Sequence, residues 1–396
     1  MRRMIGVVTS SRADFSFYLP LLRAMQNHPA CEPVIFATGM HLAEAFGSTV
    51  QLIEEAGFRV AARIESLSTE GTPEAVGRSI GRGVIGFAEL FARLRPDGLL
   101  VFGDRFDMIP AALAALPYRI PVAHIAGGEL TEGAIDDALR HALTKLSHLH
   151  FVATESYAQR VRQMGEEAWR VNVTGSLAVD AMRQATCWNA QETAQRFQFD
   201  ASRPMALVTY HPVTLEADRT ERQVDELLAV LEASGLQCVF TAPNADTSWP
   251  EVVRAIERFC DGWSGRQFVA NAGTIGYFSL MRAAAVMVGN SSSGLVEAPS
   301  FALPVVNVGT RQSGRVRAAN VIDCGTDREG IMAALARALE PGFRRSLRGL
   351  ENPYGDGRAA QRILARLAET DFGAPDLLRK RFMDASLERF AEAFSP

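Results

Sequence analysis

Met4-Ile5-Gly6-Val7-Val8-Thr9-Ser10-Ser11-Arg12-Ala13-Asp14-Phe15-Ser16 runs from an apolar, β-branched segment through a polar turn into a helical pattern. From Phe15 to Met25 apolar side chains fall three and four apart, the spacing of a helix with one buried face. A buried strand feeding a helix in this way is half of a parallel β-α-β unit. The unit recurs at Val34 to Thr38, Leu99 to Phe102, Val122 to Ile125 and His150 to Ala153, with a second amphipathic helix over Ile135 to Leu146. A polar stretch from Cys187 to Pro204 breaks the rhythm. It restarts at Met205 to Thr209, Gln237 to Thr241, Ala285 to Val288 and Val305 to Val308.

A chain of 396 residues exceeds the roughly 250 to 300 that one hydrophobic core serves. The break therefore reads as a domain boundary, and the expected fold is α/β with two Rossmann-like, doubly wound domains across a cleft. Residues 1–185 form the first domain and 186–370 the second. Residues 371–396 are expected as a helical extension, because Leu377, Leu378, Phe382, Met383, Leu387, Phe390 and Phe394 keep helical spacing.

Lys and Arg total 41 against 45 Asp and Glu, so no global positive field draws in nucleic acid, and any phosphate site must be local. The apolar run before Ser10 is too short for a secretory core, and no run approaches the roughly 18 residues of a membrane span. A cytoplasmic protein without membrane partners is expected. Five cysteines, odd in number, scattered and without a C-x-x-C pair, predict neither a disulfide framework nor a zinc site. Metal-independent, cofactor-free chemistry is expected.

In open α/β sheets ligands bind beyond the carboxyl ends of the strands, so the loops there carry the candidate residues. Thr9 to Ser16 has an anion-site layout, with a helix start and Arg12; a capped helix with Arg12 in a surface ion pair reads equally well. Neither a G-x-G-x-x-G nor a G-x-x-x-x-G-K-[ST] motif is present. Gly103-Asp104-Arg105-Phe106-Asp107 crowds charge into a tight turn, where Asp107 suits a helix cap and Asp104 does not. In the segment from His124 to His141, Glu129, Asp136 and Asp137 read as an acid-base cluster, with helix-dipole complementarity the plainer role for the two aspartates. Tyr210-His211-Pro212 puts a histidine at a strand end beside the cleft. Gly289-Asn290-Ser291-Ser292-Ser293-Gly294 reads as a phosphate cradle opening a helix. Glu297, one turn on, suits ribose hydroxyls or a cap, and Arg311 and Arg315 offer cations for a diphosphate.

From about Met4 to Asp323 these loops, in this order, resemble the hydrolysing UDP-N-acetylglucosamine 2-epimerases of the sialic and legionaminic acid pathways, which have the GT-B fold. The most specific pieces are Ser11-Arg12-Ala13-Asp14-Phe15, Gly103 to Asp107, Gly127-Gly128-Glu129, Ile135 to His141, His211-Pro212-Val213-Thr214, Pro243-Asn244-Ala245-Asp246, Gly289 to Ser292 and Gly309-Thr310-Arg311-Gln312. The resemblance implies nucleotide contacts by Arg12, Ser16, Arg105, His211, Asn244, Tyr277, Ser291, Ser292, Glu297 and Arg311. It implies catalytic roles for Asp104, Asp136 and His211, a UDP-sugar substrate, and assembly as a homodimer or homotetramer. Many members read His-Ile-Glu-Gly-Gly where this chain has Ala126, so Glu129 is expected to supply the missing carboxylate. The departure resembles the legionaminic-type branch and puts a 2,4-diacetamido-trideoxy sugar beside UDP-N-acetylglucosamine as expected substrate. The rival expectations are a nonhydrolysing epimerase, a GT-B glycosyltransferase and a noncatalytic nucleotide-sugar sensor.

Overall fold

The computed structural model describes residues 2–132, 134–243 and 247–384. Among them the first sheet contains β1 (Arg3–Thr9), β2 (Cys31–Thr38), β3 (Val60–Ile64), β4 (Gly98–Phe102), β5 (Val122–Ile125), β6 (Leu149–Val152) and β7 (Val171–Val173), in the order β3-β2-β1-β4-β5-β6-β7. The second contains β8 (Met205–Thr209), β9 (Gln237–Thr241), β10 (Arg266–Val269), β11 (Val286–Gly289), β12 (Val305–Val308) and β13 (Val321–Cys324), in the order β10-β9-β8-β11-β12-β13. Neighbouring strands pair parallel throughout, as in the registers Val8 with Phe36 and Val288 with Val208. Parallel strands are covered on both faces, which is why β8 is buried along its whole length and reads as one apolar run.

Strand order reverses between β1 and β4 in one sheet and between β8 and β11 in the other. The loops after β1, β4, β5, β8, β11 and β12 therefore open at the carboxyl edges around these switch points, and the two sets face each other. Ser16 Oγ meets Thr274 Oγ1 at 2.5 Å across the gap, and Val316 N donates to the Tyr157 hydroxyl at 3.0 Å.

Three expectations need adjusting. The polar stretch at the boundary contains a helix, Ala190–Phe197, started by a capping box in which Asn189 and Glu192 satisfy each other's backbone N-H groups. The helix Ala359–Glu369, expected within the second domain, buries Ala359, Ala360, Ile363, Leu364 and Leu367 in the first domain's core beside Tyr18, Leu21 and Leu22. The chain therefore crosses back to bury this apolar stripe. Beyond it only Pro375–Leu378 is helical among the described residues of the expected extension, and 379–384 is irregular. Buried Arg170 accounts for the stop, since it donates to the carbonyls of Asp376, Leu377 and Arg379 and thereby ties them to the first domain. Residues 385–396 lie outside the described set.

Candidate active site

A cleft with a cavity volume of about 250 Å³ separates the two loop sets. Arg12, Ser16, Asp104, Arg105, Asp136, His211, Tyr277, Ser291, Ser292, Glu297 and Arg311 all line it. Asn244 lies outside the described residues. Glu129 does not line the cleft; it is buried behind it.

The first wall begins at the helix Arg12–Gln26. Its capping box uses Ser11 and Asp14, and the Asp14 carboxylate accepts from Ser10 N and Ser11 N at 2.7 Å each. These two N-H groups of the expected anion cradle are therefore satisfied internally. What the helix offers the cleft is the Arg12 guanidinium, whose Nη1 is buried without a hydrogen-bond partner in the protein.

Asp104 follows β4 at a turn where Gly103 takes φ +74, and His124 props that turn by donating from Nε2 to the Gly103 carbonyl at 2.7 Å. Burial holds the His124 imidazole down to about 3, so this is a neutral structural histidine. Asp104 pairs with fully buried Arg140 from the helix Asp136–Leu146 and accepts a bond from Thr131 Oγ1 at 3.2 Å. Burial alone raises its pKa, but the charges of Arg140, Arg315 and Arg311, with the Arg140 hydrogen bond, outweigh that and hold the carboxyl down to about 2. It is a permanent anion at neutral pH.

The neighbouring aspartates divide their work. Asp137 accepts from Thr131 N at 2.6 Å and so shapes the loop, whereas Asp136 lines the cleft at the first residue of the helix. Asp107, read as a helix cap, pairs with Arg105 at 3.2 Å. Glu129 lies 3.1 Å from both Arg140 Nη1 and Arg315 Nη2. Two arginines thus hold the carboxylate expected to replace the glutamate missing at Ala126.

The second wall is organised by Asn290. Its Oδ1 accepts from His211 N at 2.7 Å and its Nδ2 donates to the His211 carbonyl at 2.8 Å, clasping the loop after β8 to the loop after β11. Its own carbonyl accepts from Arg311 Nη1 at 3.3 Å and from Gln312 Nε2 at 2.8 Å, which brings in the loop after β12. Burial, then Arg311 and Arg105, push the His211 imidazole well below its ordinary value, so it stays neutral. The helix opened by Ser292 is only the four residues Ser293–Val296, so it supplies little of the cumulative dipole expected; the serine hydroxyls remain. Glu297 ends that helix, its backbone N-H donating to the Ser293 carbonyl, while its side chain makes no cap bond to the short 3₁₀ turn that follows. Burial raises its carboxyl to about 7, and Oε2 is buried without a protein partner, as is Arg311 Nε.

Arg140, Arg315 and Thr131 hold the carboxylates in place, and Thr274 narrows the opening opposite Ser16. Arg315 was legible as a cation and Arg140 as part of a motif, but the partners of both, like the roles of Thr131 and Thr274, are distant along the chain and unmarked in the sequence.

Residues 23–368 match the family model described as UDP-N-acetylglucosamine 2-epimerase. The chain is 36% identical over 324 residues to a protein of Campylobacter jejuni named GDP/UDP-N,N'-diacetylbacillosamine 2-epimerase (hydrolyzing), covering 81% of this chain and 84% of that one. It is 35% identical over 363 residues to the UDP-N,N'-diacetylbacillosamine 2-epimerase (hydrolyzing) of Legionella pneumophila, covering 91% and 94%. The crystal structure of UDP-GlcNAc 2-epimerase from Neisseria meningitidis bound to UDP-GlcNAc superposes with a TM-score of 0.80 at 20% identity, covering 93% of this chain and 100% of that chain; this likeness speaks to the fold.

Proposed function

The chain belongs to the UDP-N-acetylglucosamine 2-epimerase family, and from that premise we propose that it hydrolyses and epimerises a UDP-linked 2,4-diacetamido-trideoxy sugar, releasing UDP and the free manno-configured sugar for nonulosonic acid synthesis. The observation that carries the reading is a single cleft in which two carboxylates of the first domain, Asp104 and Asp136, with Arg12 on the same wall, oppose His211, Arg311 and the serines from Ser291 to Ser293. The substrate class rests on the names of the two relatives and on Ala126. Homo-oligomeric assembly belongs to the same proposal, supported by exposed Ile85 and Leu113 on two adjacent helices and Leu116 just after the second, and light scattering tests it. A cytosolic location is supported by five cysteines without a disulfide and by the lack, among the described residues, of any helix long and apolar enough to cross a membrane.

The C2 proton of a sugar is not acidic, so the bond from C1 to the glycosidic oxygen breaks first. Its electron pair goes to the diphosphate, which Arg12, Arg311, neutral His211 and the serine hydroxyls hold; such groups stabilise charge as it develops on the leaving oxygen. Asp104, ionised and fixed by Arg140, offsets the positive charge at C1. Asp136 takes the C2 proton and a glycal forms. Water then adds its hydroxyl to C1 while a proton returns to C2 from the other face. Asp104, with a carboxyl near 2, is a weak base, which leaves the proton transfer to Asp136.

The test is incubation with UDP-N-acetylglucosamine and, separately, its 2,4-diacetamido-trideoxy analogue in deuterated water, followed by NMR. Release of UDP with deuterium at C2 of a free manno sugar supports the proposal and identifies the preferred substrate. Deuterium in an intact UDP-sugar indicates a nonhydrolysing epimerase, and no exchange in either favours a transferase or sensor.

Glu297 supplies a second test. As the acceptor of the two ribose hydroxyls it must be ionised to bind. Because burial places its carboxyl near 7, lowering the pH protonates it and weakens binding. UDP affinity measured by calorimetry is expected to fall about tenfold from pH 8 to pH 6, as the ionised fraction does. Glu297→Gln is expected to remove that dependence, leaving only the titration of UDP itself; an unchanged slope in the variant eliminates the role.

A further inference from the structure

Arg315 reaches from the second domain into the first. Its Nε donates to the Leu130 carbonyl at 2.7 Å, its Nη2 lies 3.1 Å from Glu129 Oε2, and the same nitrogen is 3.4 Å from Thr131 Oγ1. Thr131 Oγ1 donates to Asp104 and accepts from Arg140 Nη2 at 3.1 Å. The approach depends on Gly314, with φ +74: a Cβ there lies 2.3 Å from Leu130 Cδ1 and 2.9 Å from Glu132 Oε1. On the other side Val316 is held by the Tyr157 and Tyr354 hydroxyls, which lie 3.0 Å apart. Residues 314–316 are thus a tongue seated against the loop that follows β5 and leads to Asp136.

Charge counting gives this contact a consequence. Asp104 and Glu129 bring two negative charges, Arg140 and Arg315 two positive ones, and all but Asp104 are nearly excluded from solvent. Without Arg315 one arginine must serve two carboxylates, which draws Arg140 away from Asp104 and raises the affinity of the carboxylates for a proton. We propose that Arg315 is a positioning residue for the epimerisation reaction: by closing onto Glu129 and Leu130 it leaves Arg140 to Asp104, so that Asp104 is held in place only when the two domains are together. The proposal rests on the epimerase reading. Other ionisable groups around the cluster are Arg311 and Glu297 of the second domain, with His124, Tyr157, Arg160, Asp136, Asp137 and Glu132 of the first and Tyr354 of the returning chain.

Arg315 also lines the cleft, so the rival role is a direct diphosphate contact. The two roles separate in the purified full-length enzyme by measuring UDP affinity and the pH profile of kcat together. For Arg315→Gln the expected result is UDP affinity within about threefold of the wild type, kcat about tenfold lower at pH 7, and an acid limb displaced upward by about a unit, as loss of a neighbouring cation requires. Adding Glu129→Gln restores the balance of one arginine to one carboxylate and is expected to recover part of kcat and return the acid limb. Gly314→Ala changes no charge but pushes the tongue off Leu130, and the same displaced limb is expected. A parallel loss of UDP affinity and kcat/KM with an unmoved pH profile, or no recovery in the double variant, overturns the proposal. Failure of the wild-type enzyme to epimerise instead removes the reading beneath it.

Discussion

Asp136→Asn is expected to lower kcat on the order of 10³-fold, within the range for losing a general base, while UDP binds within about threefold of the wild type. The exchange keeps the side chain's size at a position that is 6% exposed and lines the cleft, so it removes proton uptake and little packing. Asp104→Asn differs in kind. It removes the charge that pairs with fully buried Arg140 and leaves Glu129 as that guanidinium's remaining carboxylate, so a loss of about 3 kcal/mol in stability should accompany the loss of turnover. Urea unfolding and kcat, measured on both variants, separate the proton acceptor from the fixed anion. The isotope at C2 adds an independent reading. If C1-O cleavage continues slowly in Asp136→Asn, the residual sugar should carry no solvent deuterium at C2. Deuterium at C2 at the wild-type rate transfers the base role to another group.

Nine strands of the two sheets could be read from the sequence with ends within a few residues of those observed, and the four that could not, β3, β7, β10 and β13, are the sheet edges. The reason is burial. A central parallel strand is covered on both faces and must be apolar throughout, as Met205–Thr209 is. An edge strand faces solvent along one side and carries polar residues such as Arg63, Asn172, Arg266 and Asp323, so it shows no apolar run. For the returning helix Ala359–Glu369, periodicity says which residues share a face and not which sheet that face covers.

The cleft shows the same division. Residues that follow a strand directly, such as Arg12, Asp104 and His211, could be found because topology brings strand ends together. Arg140 is 36 residues from Asp104 in sequence, and Arg315 is 184 from Thr131, so nothing local marks either pairing. Glu129 was legible as a carboxylate near the site, yet two such arginines turn it from a candidate reactant into part of the support.

Gly289→Ala should be the most damaging single methyl group in the second domain. Gly289 ends β11 at φ +132, a conformation that L residues rarely adopt, and a Cβ there lies 2.0 Å from the Thr209 carbonyl oxygen and 2.8 Å from its carbon. Both atoms are backbone of β8, paired in register with Gly289, so no side chain can swing aside. To make room β11 must separate from β8, which stretches the bond from Asn290 N to the Thr209 carbonyl and pulls Asn290 away from His211 and Arg311. Backbone strain of about 1 to 3 kcal/mol adds to the lost strand pairing, for an expected destabilisation of about 4 kcal/mol. Because Asn290 ties together the loops that present His211, Ser291 and Arg311, UDP affinity should fall on the order of 100-fold in whatever folds, the equivalent of about two such contacts. Gly262→Ala is the matched control, with φ +75 and nothing within 4 Å of the added Cβ, so only strain of about 1 to 2 kcal/mol is expected there. Urea midpoints for the two variants, with UDP titrations, decide the matter. Equal midpoints and normal UDP binding in Gly289→Ala would mean that the β8-β11 junction does not set the geometry of the second wall.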